Sequence, residues 1–309
     1  GEQRSAEGHR AGMAEAHATE AVSAPCAMPA LLQATLAPQF LQSSEASALF
    51  SHHGVPSCKD ISMQALRENF VAHNKPVVLP QLLSEWQPVL SWDTDYLRGA
   101  CAGRSIYVRE ADESGCSHFN GEYTEKKVLF SEYLATVCRA IDERLPCRQY
   151  GAQIQVRRDL PELFADTRPE PEAVEALGAR WSGAPAIYIG AGNHTPLHFD
   201  VFENLLCIVR GRKRVRLWHP AHSHLLSSGQ GCFSDSAVAG DLAGRQRVEC
   251  PIDELAVQVD MTDGDALYLP CGWWHDVASP AGKLSVSLSY WARPSPAKQG
   301  VLTEEEDLY

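Results

Sequence analysis

The sequence contains no apolar run of about 20 residues, the length that a helix needs to cross a membrane, so we predict no membrane-spanning segment. Its ten cysteines include no Cys-x-x-Cys pair, which argues against a structural zinc module. A basic excess is also missing. There are 27 Lys and Arg against 39 Asp and Glu, and the net charge of −12 argues against an extended nucleic-acid surface.

The composition favours a folded protein inside the cell. Hydrophobic residues make up 44% of the 309 residues, which is enough to bury a substantial core. No basic segment followed by an apolar one opens the chain, so we expect no secretory signal, mostly reduced thiols and a cytoplasmic or nuclear location. We predict a flexible tail at residues 1–28, a single domain over residues 29–293 and a C-terminal tail at residues 294–309.

The first part of this domain, residues 29–156, mixes helices and strands. Apolar residues at helical spacing predict a helix capped by Asp60 and a second helix over residues 126–141. Trp92–Leu97 is typical of a helix start. Strands are predicted over three segments: Lys75–Leu79, Arg104–Arg109 and Tyr150–Val156. A loop with a short helix near residues 172–177 then occupies residues 157–185.

Short strand patterns dominate residues 186–293. They are Ala186–Ile189, Leu205–Val209, Arg214–Trp218, Ala256–Val259, Ala266–Leu269, Trp274–Ala278 and Leu284–Trp291. Many short strands separated by turn signals predict a mainly β fold with flanking helices, either a closed barrel or a double-sheet jelly roll. Arg210-Gly211-Arg212 is interpreted as a hairpin turn, and residues 221–250 as a long loop insertion.

A His-x-Asp pair lies at the start of this region. On an extended strand, residues two apart point to the same face, so His198 and Asp200 converge on one point. His275 is the best candidate for a third ligand. Two histidines and one carboxylate form the facial triad typical of non-haem Fe(II) oxygenases. The alternative at this point is a surface strand pair without a metal.

Strand parity singles out two further sets of residues. Lys213 shares its face with the apolar Val215 and Leu217, so we expect a buried ammonium that needs an anionic partner. The last predicted strand carries hydroxyls on one face, which are suited to a polar pocket. These hydroxyls belong to Ser285, Ser287 and Ser289.

Other polar residues have simpler interpretations. His194, His219, His222 and His224 are interpreted as loop residues rather than metal ligands, and Cys271 as a cysteine packed under the barrel. The arginines between residues 210 and 216 are interpreted as the solvated face of a hairpin.

Four segments, taken together and in this order, resemble the JmjC family of cupin-type Fe(II)- and 2-oxoglutarate-dependent oxygenases. They are GNHTPLHFD, ENLLCIVRGRKRVRLWHP, DGDALYLPCGWWHDV and LSVSLSYW. The resemblance is strong over residues 186–291 and weaker over residues 60–156, and it is nearest to the small hydroxylases of the kind that includes factor inhibiting HIF. It implies a double-stranded β-helix barrel, with Fe(II), 2-oxoglutarate and O2 as the reaction components.

The resemblance also implies roles for individual residues. His198, Asp200 and His275 would hold the iron, and Lys213, Thr195 and Tyr150 would bind the distal carboxylate of 2-oxoglutarate. Asn204 matches a residue beside the cosubstrate. Ser289 stands where the family has a second asparagine, and it has one hydroxyl donor in place of two amide donors.

The expected function is hydroxylation of an amino-acid side chain in a protein or peptide substrate. The alternatives are hydroxylation of a tRNA base, histone lysine demethylation and an inactive cupin that serves as a binding scaffold. The arginines near residue 213 favour tRNA, whereas the net charge opposes it. The C-terminal helices through which some relatives dimerise are expected to be absent, so the oligomeric state is open.

Overall fold

The computed structural model describes residue 32 and residues 36–41, 54–111, 123–180, 183–226 and 251–299. The predicted tail at residues 1–28 and most of the predicted insertion at residues 221–250 lie outside these residues. The described strands are β1 Val77–Leu79, β2 Ser105–Ala111, β3 Tyr123–Leu129, β4 Gln149–Gln155, β5 Ala186–Gly190, β6 His194–Phe199, β7 Glu203–Arg210, β8 Arg212–Trp218, β9 Val257–Thr262, β10 Ala266–Leu269, β11 Trp274–Ala278 and β12 Ser285–Ala292.

Short helices surround these strands. They are α1 Pro38–Leu41, α2 Met63–Leu66, α3 Gln87–Ser91, α4 Thr94–Ala100, α5 Phe130–Asp142, α6 Val156–Asp159 and α7 Ala173–Ala176. A π-helical turn, Arg67–Val71, continues α2, and 3-10 turns occupy Pro161–Leu163, Pro220–Leu225 and Pro251–Leu255. No helix in the described ranges is long and apolar enough to cross a membrane.

The strands form two antiparallel sheets that face each other. The larger sheet has eight strands in the order β1-β10-β7-β12-β5-β4-β2-β3, and the smaller has four in the order β6-β11-β8-β9. Every second side chain along the strands points into the space between the two sheets. Leu206 and Ile208 of the larger sheet meet Val215 and Leu217 of the smaller one in a single buried cluster. The predicted jelly-roll barrel is therefore confirmed.

The outer face of the larger sheet packs against the helices. Leu205 and Cys207 alternate with the inward residues of β7 and join the same cluster as Phe130 and Leu134 of α5. This second core explains why β7 reads as an unbroken apolar run. Both of its faces are covered, one by the facing sheet and one by the helix.

Two predicted helices need correction. The cap of α2 is Ser62, whose side chain accepts from the Ala65 backbone amide, while Asp60 lies before it with φ of 58°. The helix predicted over residues 126–141 begins only at Phe130, because Lys126–Leu129 belong to β3 and pair with β2. Their polar and apolar residues fit a strand as well as a helix, and the sheet pairing decides between them.

The turn at Arg210-Gly211-Arg212 is not a hairpin. It joins β7 in the larger sheet to β8 in the smaller one, so the chain changes sheets there. Gly211 has φ of 84°, and a Cβ at this position would lie 2.0 Å from the Leu284 carbonyl oxygen. Only glycine fits both the left-handed backbone and this close approach.

Candidate metal centre

His198 and His275 lie side by side on neighbouring strands of the smaller sheet. They are Cα partners across β6 and β11, and their ring centroids are 4.2 Å apart. Asp200 follows directly after β6, and its Oδ1 lies 3.9 Å from His198 Nε2. One ligand atom from each of the three residues lies within 4.8 Å of the others. The residues that the sequence singles out are therefore brought together.

Backbone carbonyls orient both imidazole rings. His198 Nδ1 lies 2.8 Å from the Pro196 oxygen, and His275 Nδ1 lies 2.9 Å from the Trp273 oxygen. A proton on Nδ1 donates to the carbonyl and leaves the Nε2 lone pair for a metal. Burial, together with the neighbouring His275 ring, lowers the pKa of His198 to about 4, so this ring is neutral at pH 7.

The Asp200 carboxylate is held on its other oxygen. Asn204 Nδ2 and Trp291 Nε1 each donate to Oδ2 at 3.4 Å, which leaves Oδ1 on the side of His198. The sequence analysis did not predict that Trp291 contacts Asp200. Strand parity could have indicated it, because Trp291 lies on the same face of β12 as the three serines.

The donor set fits a small divalent ion. Two imidazole nitrogens and one carboxylate oxygen on one side match the two-histidine-one-carboxylate triad, which suits Fe(II). Within the described ranges this is the one cluster of three potential ligands. Cys271 does not join it. Its sulfur is buried 3.9 Å from Asn74 Oδ1 and from Glu203 Oε1.

A β-bulge explains how Thr195 reaches the same side as His198. Residues three apart on a regular strand face opposite sides, but the pairing of β6 with β11 shifts by one residue between His275 and Val277. Thr195 is therefore the Cα partner of Val277, and Val277 is the partner of the inward-facing Val215 of β8. The side chain of Thr195 accordingly faces the interior. Thr195 is buried there.

Lys213 is buried on the interior face of β8, as parity predicts. Its Nζ lies 3.4 Å from Tyr150 Oη and sits 5.9 Å and 5.8 Å from the ring centroids of Tyr150 and Tyr188. None of the described carboxylates forms an ion pair with it. Two aromatic rings and one phenol oxygen surround the ammonium, an arrangement that leaves its charge without a neutralising partner.

Buried hydroxyls lie across the interior from Lys213. On β12, Ser287 is the Cα partner of Tyr188 on one side and Ile208 on the other, so it shares their inward face. Ser289 faces inward in the same way opposite Leu206. The Oγ atoms of Ser285 and Ser287 are buried and have no hydrogen-bond partner in the described structure. Asn204 Oδ1 is likewise buried without a hydrogen-bond partner among the described residues.

Three arginines near the turn form ion pairs, while Arg212 is exposed as the solvated-face interpretation expects. Arg210 contacts Asp263, Arg214 contacts Asp260 on β9, and Arg216 is bound to both Asp276 and Asp253. Burial opposes the ionisation of Asp276, but the hydrogen bonds from Arg216 and the nearby His194, whose Nε2 lies 3.7 Å away, lower its pKa overall. His194 accordingly lies in β6, facing away from the triad, and is not a loop residue.

A buried ion pair supports the segment that leads to His275. The Lys298 ammonium is bound to the Glu203 carboxylate, whose Oε2 also accepts from Tyr268 Oη at 2.7 Å and from the Cys271 amide at 3.3 Å. Lys298 is buried, although it belongs to the segment predicted as a C-terminal tail. The sequence position of Glu203, next to a long apolar run, could have predicted a buried cationic partner, because a buried carboxylate needs one.

Comparisons with known proteins agree with this architecture. The sequence matches the cupin-like domain family over residues 63–298. It is 24% identical to lysine-specific demethylase 8 of Xenopus tropicalis, covering 79% of this chain and 54% of that protein. It is also 24% identical to the bifunctional peptidase and (3S)-lysyl hydroxylase of Homo sapiens, covering 72% and 79%.

A third relative is the tRNA wybutosine-synthesizing protein 4 of Aspergillus oryzae, 26% identical over 72% of this chain and 23% of that protein. The chain spans only 53% to 60% of the length of four of the relatives it matches, three of them lysine-specific demethylases and one a Jumonji C domain-containing protein. Because the family match takes in both sheets and all three candidate ligands, the chain belongs to the cupin-like domain family, and these relatives confirm its resemblance to the JmjC proteins.

Proposed function

We propose that the protein is an Fe(II)- and 2-oxoglutarate-dependent oxygenase that hydroxylates an amino-acid side chain in a protein substrate. The observation that carries this proposal is one interior that holds a His-Asp-His ligand set together with a buried lysine lacking a carboxylate partner among the described residues. The ligand set suits a metal with open coordination positions, and the buried lysine requires an anion.

In this proposal the metal is held by Nε2 of His198, Nε2 of His275 and Oδ1 of Asp200. Bound Fe(II), with 2-oxoglutarate and O2, supplies the oxidising chemistry. The Pro196 and Trp273 carbonyls aim the two rings, so that Nε2 of each faces the metal position. Asn204 and Trp291 hold the carboxylate so that it offers one oxygen.

The proposed cosubstrate site uses the polar groups of the interior. The Lys213 ammonium neutralises the distal carboxylate, and the hydroxyls of Tyr150 and Thr195 donate to it. Asn204 lies beside Asp200, and Ser289 is the inward residue of β12 two positions before Trp291, which also donates to Asp200. The unpartnered hydroxyls of Ser285 and Ser287 supply further donors, which is what an interior built for an anion needs.

Two alternatives explain less of this arrangement. An inactive binding scaffold gives no reason for the ligand set and the buried lysine to occur together, since leaving a charge buried without an anion costs several kcal/mol. A tRNA substrate is suggested by one relative's name. It is opposed by the net charge of −12 and by the ion pairs that engage Arg210, Arg214 and Arg216.

The test is to incubate Fe(II)-loaded protein with 2-oxoglutarate in air, adding a peptide pool to one sample and total tRNA to another. We expect succinate to form and peptides to gain the mass of one oxygen atom, as read by mass spectrometry. Loss of methyl groups from lysine in place of oxygen gain would instead identify a demethylase. Gain of oxygen by tRNA alone would overturn the protein-substrate proposal, and intact 2-oxoglutarate in every sample would favour the scaffold.

A further inference from the structure

Asn74 ends the helix that α2 and the π-helical turn form together. The Lys75 amide donates to the Phe70 carbonyl at 3.0 Å, and the Asn74 amide donates to the Val71 carbonyl at 3.2 Å. Asn74 has φ of 52°, the left-handed conformation in which helices commonly end. Glycine takes this conformation at lower cost than asparagine. Asn74 is only 4% exposed, so its side chain contacts protein rather than solvent.

The side chain and the backbone of Asn74 both hold one short segment, residues 271–273. Asn74 Nδ2 donates to the Cys271 carbonyl at 3.2 Å. The Asn74 carbonyl accepts from Trp273 Nε1 at 2.8 Å. Both hydrogen bonds are buried, and they tie the first helical part of the domain to the segment that precedes His275.

Residues 271–273 in turn contact two of the three candidate metal ligands. The Gly272 amide donates to the backbone carbonyl of Asp200 at 2.8 Å. The Trp273 carbonyl lies 2.9 Å from His275 Nδ1. The first contact fixes the backbone that carries the carboxylate, and the second sets the direction of the imidazole. Asn74 is therefore bonded directly to the segment that positions both ligands.

The same segment is held from a second side. Glu203 Oε2 accepts from the Cys271 amide at 3.3 Å, while Asn74 donates to the Cys271 carbonyl. The peptide groups before and after Cys271 are thus both fixed. Ligands held in this way keep their direction without a metal, which raises the affinity for the ion because less order is imposed on binding.

We propose that Asn74 is a positioning residue for the metal centre, and that it sets the affinity and the coordination geometry of the ion through Gly272 and Trp273. The inference rests on the proposed function, since it takes the three metal ligands as assigned there. The competing explanation is that Asn74 only ends the helix. The two explanations differ for glycine, which ends a helix at least as well but has no amide to donate to Cys271.

The experiment measures Co(II) binding to the whole chain carrying Asn74→Gly, which keeps the left-handed backbone and removes only the side chain. Competition with a chelator gives the dissociation constant. We expect Asn74→Gly to bind Co(II) about tenfold or more weakly than the wild type, the usual loss when an outer partner of a metal ligand is removed. The visible spectrum at saturating Co(II) should also change, because it depends on how the ligands are arranged around the ion.

Two tryptophan variants form a matched pair. Trp273→Phe removes the indole N–H that donates to the Asn74 carbonyl. Trp86→Phe removes an indole N–H that donates to the Pro169 carbonyl at 2.9 Å, in the cluster beneath the helices. We expect about tenfold weaker Co(II) binding in Trp273→Phe and unchanged binding in Trp86→Phe. Added to Asn74→Gly, Trp273→Phe should cost less than it does alone, because both changes loosen the same segment.

Urea denaturation of each metal-free variant gives its stability and shows that it is folded in the titration. If Asn74→Gly and Trp273→Phe bind Co(II) as the wild type does, with an unchanged spectrum, the inference is overturned and Asn74 only ends the helix. Equal weakening in Trp86→Phe and Trp273→Phe would also overturn it, since the effect would then be general.

If Asn74→Gly does not fold, the comparison of Trp273→Phe with Trp86→Phe decides alone. These results leave the proposed function untouched as long as the wild type binds Co(II) and 2-oxoglutarate. Failure of the wild type to bind Co(II) would contradict the proposed function, and the inference with it.

Discussion

Lys213 and Tyr150 meet inside the barrel, with the ammonium 3.4 Å from the phenol oxygen. They come from different sheets, β8 and β4, so the contact spans the space between the sheets. A phenol satisfies one of the three ammonium protons but none of its charge. This unbalanced charge, close to the His-Asp-His group, underlies the first prediction.

Replacing Lys213 should weaken 2-oxoglutarate binding without removing the metal. We expect Lys213→Ala to raise the dissociation constant about 100-fold or more, because the carboxylate loses its buried counter-charge. Lys213→Arg should recover part of the affinity, since the planar guanidinium fits a compact site poorly. Calorimetric titration of 2-oxoglutarate into the Mn(II)-loaded variants measures the effect.

Unchanged affinity in Lys213→Ala would show that another cation holds the carboxylate. The neighbouring Arg214 and Arg216 are poor substitutes, because they are bound to Asp260 and Asp276 respectively and have the opposite strand parity.

Removing any candidate metal ligand should abolish metal binding and turnover together. We expect this for Asp200→Ala, His198→Ala and His275→Ala, since two remaining ligands hold a divalent ion weakly. His194→Ala is the matched control, because it lies on the same strand and faces Asp276 rather than the triad. Metal content after dialysis is the readout, and full retention of Fe(II) by Asp200→Ala would contradict the assignment.

The hydroxyl of Ser287 should contribute to cosubstrate binding. Ser287→Ala removes only the hydroxyl, a donor that has no partner among the described residues. We expect 2-oxoglutarate to bind about tenfold more weakly, the usual effect of losing a hydrogen bond to a charged group. The same titration tests this, and equal or tighter binding would mean that the hydroxyl does not face the anion.

Removing Lys298 should destabilise the whole domain. Lys298→Ala leaves the Glu203 carboxylate buried beside an apolar interior, and we expect a loss of about 3–5 kcal/mol in the free energy of unfolding. Urea denaturation gives this value, with the exposed Lys283→Ala as control. A loss below about 1 kcal/mol would show that Glu203 is adequately bound by Tyr268 and the Cys271 amide alone.

Most of the barrel and the burial of Lys213 follow from sequence patterns alone. Seven of the eight strands between residues 186 and 292 were predicted, because each combines β-branched or aromatic residues with a turn signal, while β6 was not among them. Period-two parity was enough to bury Lys213, since Val215 and Leu217 share its face. The convergence of His198 and Asp200 needed only the assumption of an extended chain, although Asp200 lies just past the end of β6.

Other features depend on pairings that a single sequence does not encode. The bulge that turns Thr195 to the side of His198 exists only in the register between β6 and β11. The strand at Lys126–Leu129 was mistaken for helix, because its pairing with β2 comes from a segment some twenty residues away. The partners of Arg216 were also hidden, since Asp253 and Asp276 lie far along the chain.

The measurement that bears most directly on the proposed activity uses isotopically labelled O2. Fe(II)-loaded protein, 2-oxoglutarate and a peptide pool are incubated under the labelled gas, with Asp200→Ala beside the wild type. The account predicts succinate and peptides that carry one labelled oxygen atom in the wild type, and neither in the variant. Peptides that stay unlabelled, with 2-oxoglutarate left intact, would contradict it.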